Sequence, residues 1–140
     1  MISLKDTELY NEVLKEYNYA FGNVYMFKEF VISEFHPEVV ITWDNHAKIM
    51  VNDIVSFYNT DGSNIIYISN RIHSYSVVAS DWLKFFKTSY AIKAYCIVSE
   101  NKAGLLNSMI EKLFFKKKIT HFSNLYEAVN FVKKGLVEIS

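Results

Sequence analysis

The stretch IIYISNRIHSYSV, Ile65–Val77, decides how the rest of the chain is interpreted. It begins as a short continuous apolar run, which is typical of a strand covered on both faces of a sheet. It continues as a run of groups that can do chemistry: Ser69, Asn70, Arg71, His73, Ser74, Tyr75 and Ser76. A buried strand that ends in a polar loop indicates a parallel α/β sheet, in which ligands and partners gather at the carboxyl ends of the strands.

Apolar strands and amphipathic helices alternate on both sides of this stretch. Upstream, apolar residues recur at helical spacing over 42–58, and Thr42 or Asp44 can cap that helix by accepting hydrogen bonds from its first turn. Downstream, the sequence predicts a helix at 80–87, a strand at 91–98, a helix at 105–114, a strand at 118–122 and a final helix capped by Ser123. Strand–helix–strand units cross over with one handedness, so these strands are expected to form a parallel core.

The N-terminal third has a different pattern. The runs NVYMF (23–27) and FVISEF (30–35) are aromatic and β-branched, which favours an antiparallel hairpin, and HPEVVIT (36–42) predicts one more strand. Residues 1–20 form an extension of uncertain structure, in which Leu4–Leu14 suits a short helix or leads into a strand. The 140 residues are therefore expected to form one α/β domain, with a mixed β-sheet and about four helices.

Four phrases carry a resemblance to a known family: YISNRIHSYSV, ASDWLKF, IVSENKAGLLNSMIEKLFFKK and THFSNLYEAVNFV. From about Phe21 to Val132 the chain resembles the small STAS/SpoIIAA-like proteins of Bacteroidetes-type bacteria. The resemblance implies a non-enzymatic protein-interaction or regulatory module. In the anti-sigma-factor antagonists of that superfamily, a serine in the loop after a central strand is phosphorylated. Ser69 has that place here, without the Asp-Ser and glycine-rich residues of the antagonist loop.

The residues that leave two neighbouring strands at the same edge are the candidates for a binding site. The loop Ser69–Ser80 follows the first strand, and Ser99 follows the second. Arg71 offers a two-pronged fork for a carboxylate or phosphate, and aromatic side chains with polar tips stand nearby. The predicted binding residues are Ser69, Asn70, Arg71, His73, Ser74, Tyr75, Ser76 and Ser99. The alternative is that these side chains satisfy the backbone of their own loop.

Catalysis, metal binding and cofactor binding have weak signals. Ser74 or Ser76 with His73 and Asp81 would supply the residue types of a hydrolase triad, but the glycine-flanked serine of such enzymes is missing. The four histidines are too far apart in sequence for a metal-binding motif, and the glycines are too few for a phosphate-binding loop. We therefore expect no enzyme, no metal and no cofactor. The alternatives are a small-molecule or lipid carrier, in keeping with a looser kinship to the CRAL-TRIO domain, and a small hydrolase that uses the Ser69–Ser80 loop.

Composition narrows the partners. Fifteen Lys and Arg balance fifteen Asp and Glu, which argues against nucleic-acid binding. No apolar run approaches the ~18 residues of a membrane span, and the N-terminus is too charged for a signal peptide, so a cytoplasmic protein with a protein partner is expected. Cys96 stands in an apolar run and is expected to be buried, whereas the hairpin carboxylates Glu29, Glu34 and Glu38 are expected to face solvent.

The hairpin also bears on assembly. Val24–Phe27 and Phe30–Ile32 are consecutive apolar residues, so both faces of these strands need cover. A homodimer through the hairpin or the N-terminal segment would supply that cover. The alternative is that Leu4–Leu14 of the same chain forms a lid over the hairpin.

Overall fold

The computed structural model describes residues 2–73, 75–100 and 102–135 of the chain. Its strands are β1 (Lys15–Tyr19), β2 (Gly22–Met26), β3 (Phe30–Phe35), β4 (Val40–Ile41), β5 (Ile66–Asn70), β6 (Ser76–Val77), β7 (Ala94–Val98) and β8 (Ile119–Phe122). Its helices are α1 (Lys48–Tyr58), α2 (Trp82–Phe86), α3 (Lys102–Glu111) and α4 (Leu125–Lys133). Six strands form one sheet in the order β1-β2-β3-β5-β7-β8, and β4 and β6 form a separate parallel pair.

The sheet is mixed, as the sequence predicts. Strands β1, β2 and β3 are antiparallel neighbours, whereas β3, β5, β7 and β8 run parallel. Each step between parallel strands passes through at least one helix, which is the connection that parallel neighbours need. The predicted α/β class, the hairpin and the later parallel strands are therefore confirmed.

The N-terminal extension contains the edge strand of the sheet. Two short 3-10 turns, Leu4–Asp6 and Glu8–Glu12, lead into β1. Strand β1 pairs along its whole length with β2, from Lys15 opposite Met26 to Tyr19 opposite Gly22. Its polar and half-exposed side chains suit an edge, where one side of the strand faces water.

Two local predictions are wrong. The segment HPEVVIT contributes only the two-residue strand β4, outside the main sheet, because Glu38 takes a left-handed backbone (φ 64°) just after Pro37. The cap of α4 is Asn124, not Ser123: the Asn124 side chain accepts from the backbone N–H of Tyr126 (2.8 Å) and Glu127 (3.4 Å). Thr42 does cap the helix before α1, by accepting from the Asn45 N–H at 3.1 Å.

The two faces of the sheet are covered by different elements. The closed face carries Ile66, Ile68 and Cys96 and is covered by α4 and the N-terminal turns. The open face carries Tyr67, Ser69 and Tyr95 and lies under α1, α2 and α3. Side chains alternate between faces along a strand, so each strand contributes to both layers.

The N-terminal turns form the lid over the hairpin. Leu4 and Leu9 are buried against Tyr25, Phe27 and neighbouring core residues. The apolar residues of the hairpin are thus covered by their own chain. This removes the reason for placing a homodimer at the hairpin.

Glu34 holds this lid in place and does not face solvent as expected. It is 4% exposed and lies on the closed face. Its carboxylate accepts from the Leu4 N–H (2.7 Å), from the Ser3 hydroxyl (2.7 Å) and from the Asn70 side-chain amide (2.8 Å). The other two hairpin carboxylates, Glu29 and Glu38, are exposed as expected.

Candidate functional site

The predicted binding residues separate into three environments. Ser69 and Arg71 are buried on the open face, and Asn70 is buried on the closed face. His73 and Ser76 are exposed, and Tyr75 is partly buried. Ser99 is buried at the end of β7, while Ser74 lies outside the described residues. The structure therefore brings together only Ser69, Arg71 and Tyr75 as one connected group.

Arg71 is the centre of a buried polar network. It is 3% exposed, and its Nη2 lies 2.5 Å from Glu111 Oε2 and 2.8 Å from the Tyr95 hydroxyl. Although burial opposes the charge of Arg71, the surrounding hydroxyls and the Glu111 carboxylate keep its pKa above the ordinary value. The predicted fork for a carboxylate exists, but its carboxylate comes from α3 of the same chain.

Glu111 is fully hydrogen bonded on the inner side of α3. Besides its contact with Arg71 Nη2, it accepts from Trp82 Nε1 (3.0 Å) and Asn107 Nδ2 (3.3 Å). The Tyr95 hydroxyl also donates to it, at 2.8 Å. Burial raises the pKa of Tyr95, so this phenol stays protonated and can donate. A buried carboxylate with this many donors is a structural anchor that joins β5, β7, α2 and α3.

Ser69 is enclosed by the same network. Its hydroxyl lies 2.7 Å from the Tyr75 hydroxyl and accepts from Arg71 Nε at 3.2 Å. The guanidinium of Arg71 also stands over the Tyr75 ring, 5.5 Å from its centroid. Ser69 is 1% exposed, so a kinase would have to reach a side chain that the fold encloses. The geometry gives the phosphoacceptor prediction no support.

A few buried polar atoms at this edge have no hydrogen-bond partner among the described residues. They include Arg71 Nη1, Ser99 Oγ and His121 Nε2. Burial, with help from nearby Lys112 and Arg71, lowers the pKa of His121, so its ring is neutral near neutral pH. Such atoms need water or another polar partner, because leaving them unpaired is costly.

Among the described residues, the candidate hydrolase triad is not assembled. Asp81 accepts from the Trp43 backbone N–H at 2.7 Å and lies 3.5 Å from Lys84, so its carboxylate orients a turn and not a histidine. His73 and Ser76 are exposed on the loop. Within the described ranges, no three potential ligands among His, Cys, Asp and Glu cluster for a metal ion. In the same part of the chain, no helix is long and apolar enough to cross a bilayer.

Helix α3 presents an apolar stripe to solvent. We use this name for Leu106, Met109, Ile110 and Leu113, the last of which lies in the turn two residues beyond the helix end. These four side chains are 52–77% exposed, and they follow the i, i+3, i+4, i+7 spacing that normally faces a core. The inner side of α3 instead carries Ser108 and Glu111, both buried.

A cavity of about 120 Å³ lies between the open face of the sheet and α1. Side chains of β5 and β7, including Tyr67 and Tyr95, form its floor, and α1 contributes Met50, Val51 and Ile54. Nearly all of its lining is aliphatic or aromatic. Trp82 and Tyr95 belong both to the cavity wall and to the Glu111 network, so the two features adjoin.

Sequence reasoning missed Glu111 and Asn107. The apolar residues of α3 recur at the spacing typical of a core-facing side, so the opposite side of the helix was expected to face solvent. The available signal was that Asn107, Ser108 and Glu111 also recur at helical spacing, in a helix that follows a polar strand end. Only the fold shows which side faces Arg71.

No family model matches the chain, and no curated protein and no solved structure is significantly similar to it.

Proposed function

We propose that the chain is a non-catalytic, STAS-like interaction module that binds a partner protein through the apolar stripe of α3 and the adjoining loop. The observation that carries the proposal is the stripe itself. Four large apolar side chains on one helix face remain more than half exposed. Contiguous apolar surface of this kind commonly marks a protein-binding site.

The contacts that anchor α3 lie outside the stripe. Glu111 accepts from Trp82 Nε1, and Phe115 just beyond the helix packs in the core beside Trp82 and Tyr95. We therefore expect the stripe to be dispensable for folding. A rigid helix with an exposed i, i+3, i+4, i+7 face suits recognition of an apolar groove or of another amphipathic helix.

The polar loop adjoins the stripe. The backbone N–H of Val77 donates to Asn107 Oδ1 at 3.2 Å, which ties β6 to the side of α3. His73 and Ser76, both exposed, extend the surface as a polar border. An apolar centre with a polar rim is the usual anatomy of a protein interface.

The charges around the stripe favour an acidic partner. Lys112 and Lys116, which follow α3 directly in the chain, are exposed, whereas Glu111, the acidic residue of this helix, is buried and paired with Arg71. A partner segment with apolar anchors and flanking carboxylates would complement both features and associate faster at low salt.

The test compares two matched isoleucines. Ile110→Glu places a charge in the stripe, and Ile49→Glu places the same charge on the exposed side of α1, where Ile49 is 47% exposed. A photo-crosslinking residue at Leu113 in each background would be used in native cells, and the crosslinked protein identified by mass spectrometry. We expect one partner that crosslinks in the wild-type and Ile49→Glu backgrounds and is lost with Ile110→Glu.

Equal crosslinking in all three backgrounds, or none in any, would overturn the proposal. A crosslink to a second copy of the chain would assign the stripe to a homodimer, and sedimentation should then show a dimer that Ile110→Glu separates. Lipid vesicles carrying anionic headgroups provide the remaining control, since binding to them would identify a membrane surface in place of a protein.

A further inference from the structure

We propose that the cavity beneath α1 is a binding site for a neutral, single-ring aromatic molecule. This site lies between α1 and the sheet and does not involve the apolar stripe, so it is independent of the interaction proposed for α3. The argument rests on the size of the cavity, its walls, its polar groups and the way α1 is held.

The size of the cavity selects a small ligand. At about 120 Å³ it is close to the cavity of about 150 Å³ that stays dry and binds benzene in an engineered protein. The cavity is partly open to solvent, and its inner volume matches an occupant of one ring.

The walls are made of stacked and edge-on rings. Tyr67 and Tyr95 stack with their centroids 5.2 Å apart and their planes 6° from parallel. Trp82 stands 5.0 Å from Tyr95, and Trp43 stands 6.1 Å from Phe85. Flat aromatic walls favour a flat guest, since ring pairs gain energy in offset and edge-to-face arrangements.

The polar groups of the lining are already engaged. The Tyr67 hydroxyl is 2.7 Å from Ser33 Oγ, and the Tyr95 hydroxyl is taken by Arg71 and Glu111. The Asp81 carboxylate accepts from the Trp43 N–H, and the Thr42 hydroxyl accepts from the Asn45 N–H. The lining offers no cation to an anionic guest, and its one carboxylate, Asp81, already contacts Lys84 at 3.5 Å. A charged guest would lose its hydration without a new ion pair, so the ligand is neutral.

Polar anchors attach the C-terminal half of helix α1. The Tyr58 hydroxyl donates to the backbone carbonyls of Phe27 and Phe30, and the Tyr19 hydroxyl donates to Asp53 at 2.5 Å. Met50 is the only buried residue of α1, and Val51 and Ile54, which line the cavity, are only partly buried. Apolar side chains of this helix therefore remain available to a ligand in the cavity.

The turn before α1 forms part of the cavity wall. Trp43–Ala47 form a π-helical turn, a wider turn that is often found at functional sites. Trp43 and Ala47 both line the cavity. The cavity is partly open to solvent, so a ligand can enter it without unfolding of α1.

The experiment uses benzene, benzoate and benzylammonium as probes on the intact chain. Methyl NMR spectra of the isoleucine and valine residues would be recorded during titration, together with the melting temperature. We expect benzene to shift the signals of Val51, Ile54 and Val77 and to raise the melting temperature. The two charged probes should bind at least tenfold more weakly.

Val51→Phe fills the cavity and should weaken benzene binding at least tenfold, whereas Val40→Phe, at an exposed position outside it, should leave binding unchanged. Ala47→Leu is the smaller filling variant for use should Val51→Phe fail to fold. Unchanged spectra at saturating benzene, or equal binding by the wild type and the filled variants, would overturn the proposal. Binding of 1-decanol without benzene would overturn the assigned ligand class.

Discussion

The two faces of the sheet are built by the same strands and yet pack very differently. On the closed face, α4 buries Leu125, Ala128, Val129 and Val132, and its polar residues point outward. On the open face, α1 buries one residue and leaves a cavity, while α3 buries a carboxylate and exposes its apolar stripe. The difference teaches that α4 follows the usual rule of apolar in and polar out, whereas α1 and α3 depart from it. Departures from that rule tend to mark functional sites, so the open face is where we place function.

The largest effect is expected where the open face depends on charge. Glu111→Gln removes the negative charge that pairs with buried Arg71, and an uncompensated buried charge costs about 3–5 kcal/mol of unfolding free energy. Chemical denaturation measures the loss. The double variant Arg71→Met with Glu111→Leu should recover most of it, because it removes both charges. A loss below about 1 kcal/mol for Glu111→Gln would contradict the anchoring role of this pair.

Next in size is the effect of removing the same atoms from each face. Val129 on α4 is 1% exposed, and Val51 on α1 is partly exposed beside the cavity. Val129→Ala should cost about 2–3 kcal/mol, since it loses burial and creates a void. Val51→Ala should cost no more than about 1 kcal/mol, because its side chain already borders empty space. Equal losses in thermal or chemical unfolding would mean that the two faces are packed alike.

A smaller effect should appear as a pH dependence. Burial lowers the pKa of His121, so the folded chain takes up this proton only at lower pH than the unfolded chain does. Between the two pKa values the unfolded state binds more protons, and stability must therefore fall as pH falls through the ordinary histidine range. Below the folded pKa of His121 this contribution levels off.

The measurement is the unfolding free energy of the wild type and of His121→Gln between about pH 5 and 8, the range in which histidines titrate. The variant should lack this part of the slope. His36→Gln, which changes an exposed histidine, is the control. A wild-type slope that survives in His121→Gln would assign the pH dependence to other groups.

The smallest effect is expected on the apolar stripe. Ile110 is 52% exposed, so Ile110→Glu should change the unfolding free energy by no more than about 0.5 kcal/mol. This result would show that the stripe is dispensable for folding and that loss of a partner in this variant reports on binding. A loss above about 2 kcal/mol would mean that the stripe stabilises the chain itself.

Sequence patterns predicted the strands with a strong local signal better than those that depend on pairing with a neighbour. The runs that became β2, β3, β5, β7 and β8 were evident as apolar stretches, and the parallel order followed from the helices between them. Strand β1 was harder to predict, because KEYNY is too polar to stand out and is stabilised as a strand by pairing with β2. The same holds for β6, which is too short for a periodic signal, whereas β4 is the only part of the predicted strand HPEVVIT that forms.

The sequence predicted where the polar group around Ser69 and Arg71 lies, but not which residues pair with it. Ser69 and Arg71 do lie together at the carboxyl edge, as expected from their position after an apolar strand. Their main partner, Glu111, is 40 residues further along the chain from Arg71. No local pattern links two such residues, and Arg71 in a polar loop looks equally suited to an external ligand.

The sequence by itself determined the α/β class, the hairpin, the order of strands and helices, and the edge at which polar groups collect. These properties follow from local periodicity and turn residues, which short stretches of chain carry on their own. Only the tertiary structure decided which side of each helix is buried. On the closed face, the buried Glu34 carboxylate is satisfied by Asn70 and the N-terminal turn, so α4 could bury its apolar side. In α3 the buried guanidinium of Arg71 required a carboxylate, and satisfying that charge turned Glu111 inward and left Leu106, Met109, Ile110 and Leu113 in solvent.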